Sequence, residues 1–107
     1  MGPKTRELSG VLEDIIALLD KYEIDNWSKW MRESLKRLNN SDFSGITHLL
    51  GAYGGMGSFN DCVLANRDPK QEKGSAPAKD NYALNELSSR AYSLATGIKK
   101  EVERGEK

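Results

Sequence analysis

The C-terminal segment, residues 81–103, constrains the fold more than any other part of the chain, because apolar residues recur along it at the spacing of one helix face. Successive members of this seam lie three or four residues apart: Leu84, Leu87, Ala91, Leu94, Ile98 and Val102. We predict a long helix here, with Asp80 or Asn81 as its N-cap. The spacing approaches that of a coiled coil, so a homodimer through the seam is an alternative. We favour packing of the seam against the chain's own helices.

An amphipathic pattern over residues 8–22 predicts the first helix, with Thr5 or Ser9 as its N-cap. Its apolar stripe consists of Leu8, Val11, Leu12, Ile15, Leu19 and Tyr22. Its outer face is acidic and carries Glu13, Asp14 and Asp20. If this helix and the next form an antiparallel hairpin, we expect much of the charge on their outer faces to be satisfied between them or at their flanks.

A second helix is predicted after Ile24, with Asp25 or Asn26 as its N-cap, and a third over about residues 42–50. The apolar face of the second helix contains Trp27, Trp30, Met31 and Leu38. We expect at least one of its two tryptophans to be buried, although tryptophan is also enriched at binding hot spots. The outer face of this helix is basic, with Lys29, Arg32, Lys36 and Arg37. We interpret it as a solvated face, with nucleic-acid contact as the alternative.

Glycines cluster directly after the third helix, where four of the chain's ten fall within residues 51–57. We expect Gly51 to end the third helix in the left-handed conformation, and we expect no regular element through residues 54–57. Ser58 is then placed to cap a short helix, for which a short strand is the alternative. Three interpretations of the segment stay open: tight packing between helices, a rigid recognition loop, or an anion site made of backbone amides.

Residues 65–80 contain no large apolar side chain and predict an exposed loop. The predicted elements form a single helical domain over residues 1–107. The fold class we predict is all-α: a compact bundle of four or five helices, with a glycine-rich loop between the third helix and the C-terminal half.

Composition narrows the function and the compartment. Sixteen basic and sixteen acidic side chains cancel, which argues against a dedicated nucleic-acid binder, since phosphate contacts need a positive surplus. The single cysteine, Cys62, allows no internal disulfide and suits a reducing cytoplasm. The longest apolar cluster, residues 15–19, is far shorter than the roughly 20 residues of a membrane span. We therefore expect a cytoplasmic protein without a membrane association.

The residues give no pattern of a catalytic or metal site. His48 is the only histidine, and a metal site usually needs several His, Cys or carboxylate ligands close together. Met56 stands where both a serine-nucleophile elbow and a phosphate loop require glycine, and no lysine precedes Ser58. We predict no catalytic residues, no metal and no cofactor. We expect His48 to hydrogen-bond within its own turn, where Ser44 precedes it by one turn, or to the glycine-rich segment.

The stretch Gly54-Gly55-Met56-Gly57-Ser58-Phe59-Asn60-Asp61 and the tryptophan-bearing residues 27–38 upstream resemble a family of small bacterial proteins of unknown function. That family is marked by a helix, then G-G-M-G-S-[FL]-N-D, then two or three apolar residues. The resemblance covers about residues 27–64 and carries no assigned catalytic or binding residue. It implies a bacterial, cytoplasmic, stand-alone domain, and small helical proteins of this kind are often immunity proteins. That last step is an association and not a deduction.

These observations predict a non-catalytic protein-binding module, most concretely an immunity protein that neutralises a cognate toxin domain. The candidate partner-binding residues are Glu13, Asp14, Asp20, His48, Tyr53, Met56, Ser58, Asn60 and Asp61. The acidic ones suit a basic nuclease cleft, because opposite charge speeds encounter. The alternative is a small enzyme or a nucleotide- or anion-binding domain centred on the glycine-rich loop. That alternative predicts a concave pocket at the loop and a shifted pKa of His48.

Overall fold

A computed structural model describes residues 3–53, 59 and 76–105 of the chain, with helices at both ends of this range. The helices are α1 (Pro3–Lys21), α2 (Asp25–Asn39), α3 (Ser44–Leu50) and α4 (Ala76–Glu103). No strand occurs in the described ranges, so the predicted all-α bundle is confirmed. The short element expected after Ser58 lies outside the described residues, apart from Phe59. None of the described helices combines the length and the apolar content that a bilayer crossing requires.

The helices α1 and α4 lie antiparallel, and polar contacts at both ends show their register. Near the start of α1, the Lys4 ammonium contacts the Glu101 carboxylate at 2.8 Å. Near its end, the Asp80 carboxylate accepts hydrogen bonds from the Lys21 ammonium at 2.8 Å and the Tyr22 hydroxyl at 2.6 Å. Such exposed ion pairs add little stability by themselves, but they place the apolar stripes of α1 and α4 face to face.

The core is built mainly where those stripes meet. The side chains of Leu8, Leu12, Ile15 and Leu19 are fully buried. In α4 the seam residues Leu84, Ala91 and Ile98 are buried within the same core. These three seam positions are covered by the chain's own helices, as we predicted, whereas Leu87 and Leu94 are half-buried and Val102 is 47% exposed. Burial of a leucine or isoleucine side chain contributes about 1.5–3 kcal/mol, so these residues dominate the stability of the bundle.

The helix α1 also pairs with α2, and here the predicted charge compensation is found for Asp20 but not for Glu13 and Asp14, which are exposed. The Asp20 carboxylate pairs with the Arg32 guanidinium and accepts a hydrogen bond of 2.5 Å from the Ser28 hydroxyl. Both tryptophans of α2, Trp27 and Trp30, are half-buried. The expectation that at least one would be buried is therefore met only in part, since both pack against the core but stay partly exposed.

Every N-cap predicted on α1, α2 and α4 is wrong. Thr5 and Ser9 lie inside α1, because that helix already begins at Pro3. The N-cap of α2 is Ile24, which makes no side-chain capping bond, so Asp25 and Asn26 lie in the first turn. The helix α4 begins at Ala76, so residues 76–80 of the predicted loop are helical, and Asp80 and Asn81 lie within the helix.

Asp42 does support the start of α3, but from one residue before the N-cap. The helix begins at Ser44 and its N-cap is Phe43. The Asp42 carboxylate accepts a hydrogen bond of 2.9 Å from the Ser44 amide. That bond and the Ser44 side chain lower the pKa of Asp42, since they stabilise its charged form.

The ends of α1 and α2 are Schellman motifs in which a non-glycine residue takes the left-handed position. The Ile24 amide donates to the Leu19 carbonyl at 2.9 Å, and Glu23 between the helices has a φ of 57°. After α2, the Asp42 amide donates to the Arg37 carbonyl at 2.8 Å, and Ser41 has a φ of 58°. Glycine is the usual residue at this position because it has no Cβ.

Gly51, by contrast, ends α3 in the right-handed conformation with a φ of −63°, so the left-handed expectation for it is wrong. A residue with a side chain at this position would have little room between α3 and the Trp30 ring. A Cβ there would lie 3.3 Å from the His48 carbonyl oxygen and 3.4 Å from the Trp30 ring.

Gly45 also lies in a place with little room for a side chain, and the space there is smaller than at Gly51. A Cβ on Gly45 would lie 3.0 Å from the Ser34 carbonyl oxygen and 3.0 Å from the Arg37 Cβ. Glycine at this position therefore lets α3 approach the backbone of α2.

Candidate functional site

The predicted site residues divide into those that the structure describes and those that it does not. Met56, Ser58, Asn60 and Asp61 lie outside the described residues. The remaining candidates, Glu13, Asp14, Asp20, His48 and Tyr53, are described, and they fall in three separate places. The structure places the acidic residues on α1, His48 between α2 and α3, and Tyr53 beside α4.

The acidic residues of α1 do not act as one group. Asp20 is held in the contact between α1 and α2 by Arg32 and Ser28. Glu13 and Asp14 are exposed on α1. The helix α1 does not line the groove that contains Tyr53, so the predicted acidic face and the predicted aromatic residue belong to different surfaces.

His48 joins α3 to α2 instead of bonding within its own turn, and the expectation for it is therefore wrong. Its Nδ1 atom lies 2.7 Å from the Ser34 hydroxyl. Its ring stacks on the Trp30 indole with centroids 4.3 Å apart, and the Trp30 Nε1–H donates to the His48 carbonyl at 2.9 Å. Burial lowers the pKa of His48, the Arg37 charge lowers it further, and the Glu33 charge opposes them.

The hydroxyl that faces His48 belongs to a fully buried residue. Ser34 is 0% exposed and its hydroxyl also donates to the Trp30 carbonyl at 3.2 Å. The contact of the Ser34 hydroxyl with the Nδ1 atom of His48 is the shorter of its two contacts, and the tautomer of the imidazole decides which group donates. A nucleophile must reach its substrate, and this hydroxyl lies behind Trp30 and His48 in the helix contact. The arrangement fixes α3 against α2 and holds the ring of His48 in place.

Tyr53 sits where α3 ends and is bonded to α4. Its hydroxyl donates to the Ser88 carbonyl at 3.0 Å, and the Ser88 hydroxyl donates back to it at 3.3 Å. Burial raises the pKa of Tyr53, while the bond with Ser88 opposes that shift. Both side-chain bonds fix the tyrosine ring on the surface of α4.

A series of aromatic rings continues from this tyrosine in both directions. The Tyr53 ring lies 5.1 Å from that of Tyr92 and 5.9 Å from that of Phe59. Phe59, in turn, lies 5.5 Å from Trp27, and its amide donates to the Ala52 carbonyl at 2.7 Å. Edge-to-face ring pairs of this kind contribute about 0.5–1.5 kcal/mol each beyond their burial. The rings therefore form a rigid support behind the surface of α4.

Between the end of α3 and the outer side of α4 lies a groove of about 620 Å³. We call it the tyrosine groove and define it by its lining residues: Leu50, Tyr53, Ser88, Ser89, Tyr92, Ser93, Thr96 and Lys99. Its volume falls within the range of about 300–1,000 Å³ that is usual for ligand pockets. Tyr92 is 47% exposed and stands on a wall otherwise made of small hydroxyl-bearing side chains.

Some of the polar groups in the tyrosine groove are already used. The Thr96 hydroxyl is bonded to the Tyr92 carbonyl at 2.9 Å, and that of Ser88 is bonded to Tyr53. The side chains of Ser89, Ser93 and Lys99 form no hydrogen bond or ion pair in the described part of the chain, although the Ser93 carbonyl accepts a bond from the Thr96 hydroxyl. Their hydroxyls and ammonium are the groups that a ligand in the groove would meet.

The wall on α4 was missed by the sequence prediction, which had named only Tyr53 from this groove. The predicted seam marks only the apolar side of α4. One signal was present in the sequence. Tyr92 lies off the seam, and the hydroxyl-bearing residues Ser88, Ser89 and Thr96 lie three or four positions from it, on the same helix face.

Within the described residues, the helices display a supported aromatic surface at the groove, and the comparison with protein families assigns no role to the part of the chain that it matches. Residues 20–70 match the family model DUF6966, a domain of unknown function. The match includes Leu50 and Tyr53 of the groove but not the wall on α4. Searches of curated proteins and of solved structures found no match. Within the described residues, no three His, Cys, Asp or Glu side chains lie together as metal ligands would.

Proposed function

We propose that this protein is a non-catalytic protein-binding module of a bacterial cytoplasm, most concretely an immunity protein that neutralises a cognate toxin domain. The tyrosine groove is the observation that carries the proposal. Its central residue, Tyr92, is half exposed and is braced from behind by Tyr53. A partly exposed aromatic ring that is already held in place loses little entropy when a partner covers it.

The composition of the groove is that of a protein-recognition surface. Tyrosine supplies a large and rigid contact area with few rotatable bonds, and serine supplies adaptable hydrogen bonds. Both occur here in one stripe of α4, at Ser89, Tyr92 and Ser93. Aromatic residues at the centre of an interface commonly account for most of the binding energy.

The non-catalytic part of the proposal is supported by the surroundings of His48. This imidazole is the group best suited to acid–base work near neutral pH. Its ring is stacked on Trp30 and its Nδ1 faces the buried Ser34. These contacts pack α3 against α2 and do not present the imidazole to a substrate. The tyrosine groove is then the surface that we assign to recognition.

Two further elements of the proposal rest on different support. The bacterial cytoplasm follows from the resemblance of residues 27–64 to a bacterial family and from the single cysteine. The immunity role follows by analogy, since many immunity proteins are small helical domains that need only a complementary surface. A toxin domain is then the partner that the groove would cover.

The test compares Tyr92→Ala with Tyr82→Ala. Tyr82 is 70% exposed on the same helix and does not line the groove, so its substitution is a matched control. The tagged full chain and both variants are used to capture partners from the cells that produce the protein. We expect one partner protein to be held by the wild type and Tyr82→Ala but lost with Tyr92→Ala.

The captured partner is then expressed in bacteria with and without this chain. We expect growth arrest by the partner alone, rescue by the wild type, and no rescue by Tyr92→Ala. A partner that is harmless alone would contradict the immunity role while leaving protein binding intact. Equal capture by all three proteins, or capture by none, would contradict the binding function of the groove.

A further inference from the structure

We infer that the tyrosine groove takes an acidic peptide segment of its protein partner, in which a carboxylate lies about 10 Å from an apolar side chain. This inference rests on the proposed binding function and specifies the chemistry of the partner. Tyr92 and Lys99 carry it: the first supplies an exposed ring, and the second is the charged residue that lines the groove. They lie seven residues apart on α4, which at a rise of about 1.5 Å per residue separates them by about 10 Å.

Lys99 determines the sign of the charge that fits. It is exposed and forms no ion pair with any residue in the described ranges. The other lysines with described partners are engaged elsewhere, with Lys4 on Glu101 and Lys21 on Asp80. A carboxylate placed at this end of the groove would therefore meet an ammonium whose charge is not already compensated by a contact.

The acidic residues nearest to Lys99 do not neutralise its charge by a contact. Glu103 follows Lys99 by one helical turn and does not line the groove, and no ion pair between the two occurs in the described part of the chain. Glu101 is bonded to Lys4 on the side of α4 that faces α1. The end of the groove at Lys99 is thus positive locally, although the chain as a whole is neutral.

The shape and the remaining polar groups fit a peptide. The lining residues on α4 run from Ser88 to Lys99, which corresponds to about 16 Å of helix. An extended peptide of about five residues spans this length. The side chains between Tyr92 and Lys99 include Ser93 and Thr96, which are small enough for a peptide backbone to approach, and the free hydroxyl of Ser93 can donate to its carbonyl groups. A single cation is too little for nucleic acid, whose binding requires several phosphate contacts.

The experiment uses two capped tetrapeptides and the isotopically labelled full chain. The acidic probe is leucine-serine-serine-glutamate, whose leucine and glutamate lie on one face, about 9 Å apart, when the peptide adopts the extended polyproline II conformation. The control probe has lysine in place of the glutamate. Amide chemical shifts are followed in two-dimensional NMR spectra while each peptide is added to millimolar concentration.

We expect the acidic probe to shift the amides of residues 88–99 and to bind about two- to fivefold more tightly than the lysine probe, as suits one exposed ion pair. Lys99→Met should remove this preference, and Lys99→Glu should reverse it. Glu103→Gln should strengthen binding of the acidic probe slightly. The preference should weaken at high salt, and Tyr82→Ala should leave it unchanged.

Other outcomes would overturn the inference. They are equal binding of both probes, a preference that survives Lys99→Glu, or no shift with either probe at millimolar concentration. Failure of the inference is distinguishable from failure of the proposed function. If the natural partner is lost with Tyr92→Ala but binds equally well to Lys99→Glu, the groove binds a protein whose segment is not acidic.

Discussion

The contact between α1 and α4 and the contact between α2 and α3 hold the same bundle together by different means. The first is an antiparallel pairing of two apolar stripes, in which Leu12 and Leu84 are buried. The second is a close approach of two backbones at Gly45, fastened by His48 on Ser34. Apolar burial tolerates small shifts of one helix along the other, while the second contact depends on individual atoms. This difference decides which parts of the molecule can be predicted and which substitutions it will tolerate.

The largest expected effect is on the apolar contact. Leu84→Ala removes a side chain that is 2% exposed, so we expect it to lower the free energy of unfolding by about 3 kcal/mol. Tyr82→Ala on the same helix should change it by less than about 0.5 kcal/mol. Urea denaturation followed by circular dichroism measures both. A loss below about 1 kcal/mol for Leu84→Ala would mean that this contact is not the core.

The close contact of α2 and α3 is tested by Gly45→Ala. A Cβ at Gly45 would lie 3.0 Å from a backbone oxygen. Because a backbone atom cannot move aside as the end of a flexible side chain can, we expect the free energy of unfolding to fall by about 1–3 kcal/mol. Gly10→Ala is the matched control, because nothing lies within 4 Å of a Cβ there. In that control the gain in helix propensity should stabilise the protein by about 0.5–1 kcal/mol. Equal effects of the two substitutions would show that the close approach is absent in solution.

A buried hydroxyl group lies in the apolar contact of α1, and we expect its removal to stabilise the protein. The Ser9 hydroxyl is buried and has no hydrogen-bond partner within the described part of the chain. We expect Ser9→Ala to raise the free energy of unfolding by about 1 kcal/mol, because it removes an unsatisfied group. Ser28→Ala, whose hydroxyl is bonded to Asp20, should destabilise the protein instead. Denaturant midpoints compare the two, and a loss of stability with Ser9→Ala would reveal a partner for its hydroxyl.

The turn that leads from α2 to α3 offers a smaller gain. Ser41 has a φ of 58°, a conformation that costs a residue with a Cβ more than it costs glycine. We expect Ser41→Gly to stabilise the protein by about 0.5–1 kcal/mol, visible as a higher melting temperature. Ser41→Ala keeps the Cβ and should give no gain. If both variants behave alike, the Schellman motif is not the cause.

The smallest effect is a pH dependence of the contact between α2 and α3. Burial lowers the pKa of His48 below its ordinary value of 6.5, so the unfolded chain binds a proton at a higher pH than the folded chain does. The contribution of neutral His48 to the free energy of unfolding is fully present above about pH 6.5. It is lost as the pH falls through the pKa that His48 has in the folded protein. We expect His48→Gln to flatten the stability curve in this window.

Asp80 provides a separate check at lower pH. The hydrogen bond from Lys21, and to a smaller extent that from Tyr22, lowers the pKa of Asp80 below its ordinary value of 3.8. The contribution of Asp80 to the free energy of unfolding is therefore lost only in more acidic solution than that of His48. Asp80→Asn should leave the window of His48 unchanged. Urea titrations at a series of pH values separate the two residues, and an unchanged slope in His48→Gln would mean that the imidazole is not buried in the contact.

The sequence predicts the apolar contact well and the polar one poorly, for a physical reason. The seam that includes Leu84 and Ile98 follows from helical periodicity alone, because residues three or four positions apart lie on one helix face. The partner of His48 lies fourteen positions away in the chain, at Ser34, and no local pattern links them. The predicted helix starts failed similarly, because α1 already begins at Pro3 and α4 at Ala76, ahead of the capping residues that the apolar pattern suggests.

The candidate site shows the same limit. Tyr53 could be selected because it precedes the glycine-rich segment, but the wall that faces it comes from α4. Ser89 and Tyr92 look like ordinary solvated positions until α3 is placed beside them. A groove between two helices depends on their tertiary arrangement, which periodicity does not specify.

The central claim, that the tyrosine groove binds a protein, is tested most directly by the dissociation constant of the captured partner for Tyr92→Ala against Tyr82→Ala. Calorimetric titration of the purified proteins gives both values, and circular dichroism confirms that both variants are folded. We expect binding to weaken more than about tenfold with Tyr92→Ala, as for a central aromatic residue, and to stay within about twofold for Tyr82→Ala. Equal constants for the two variants would contradict the account.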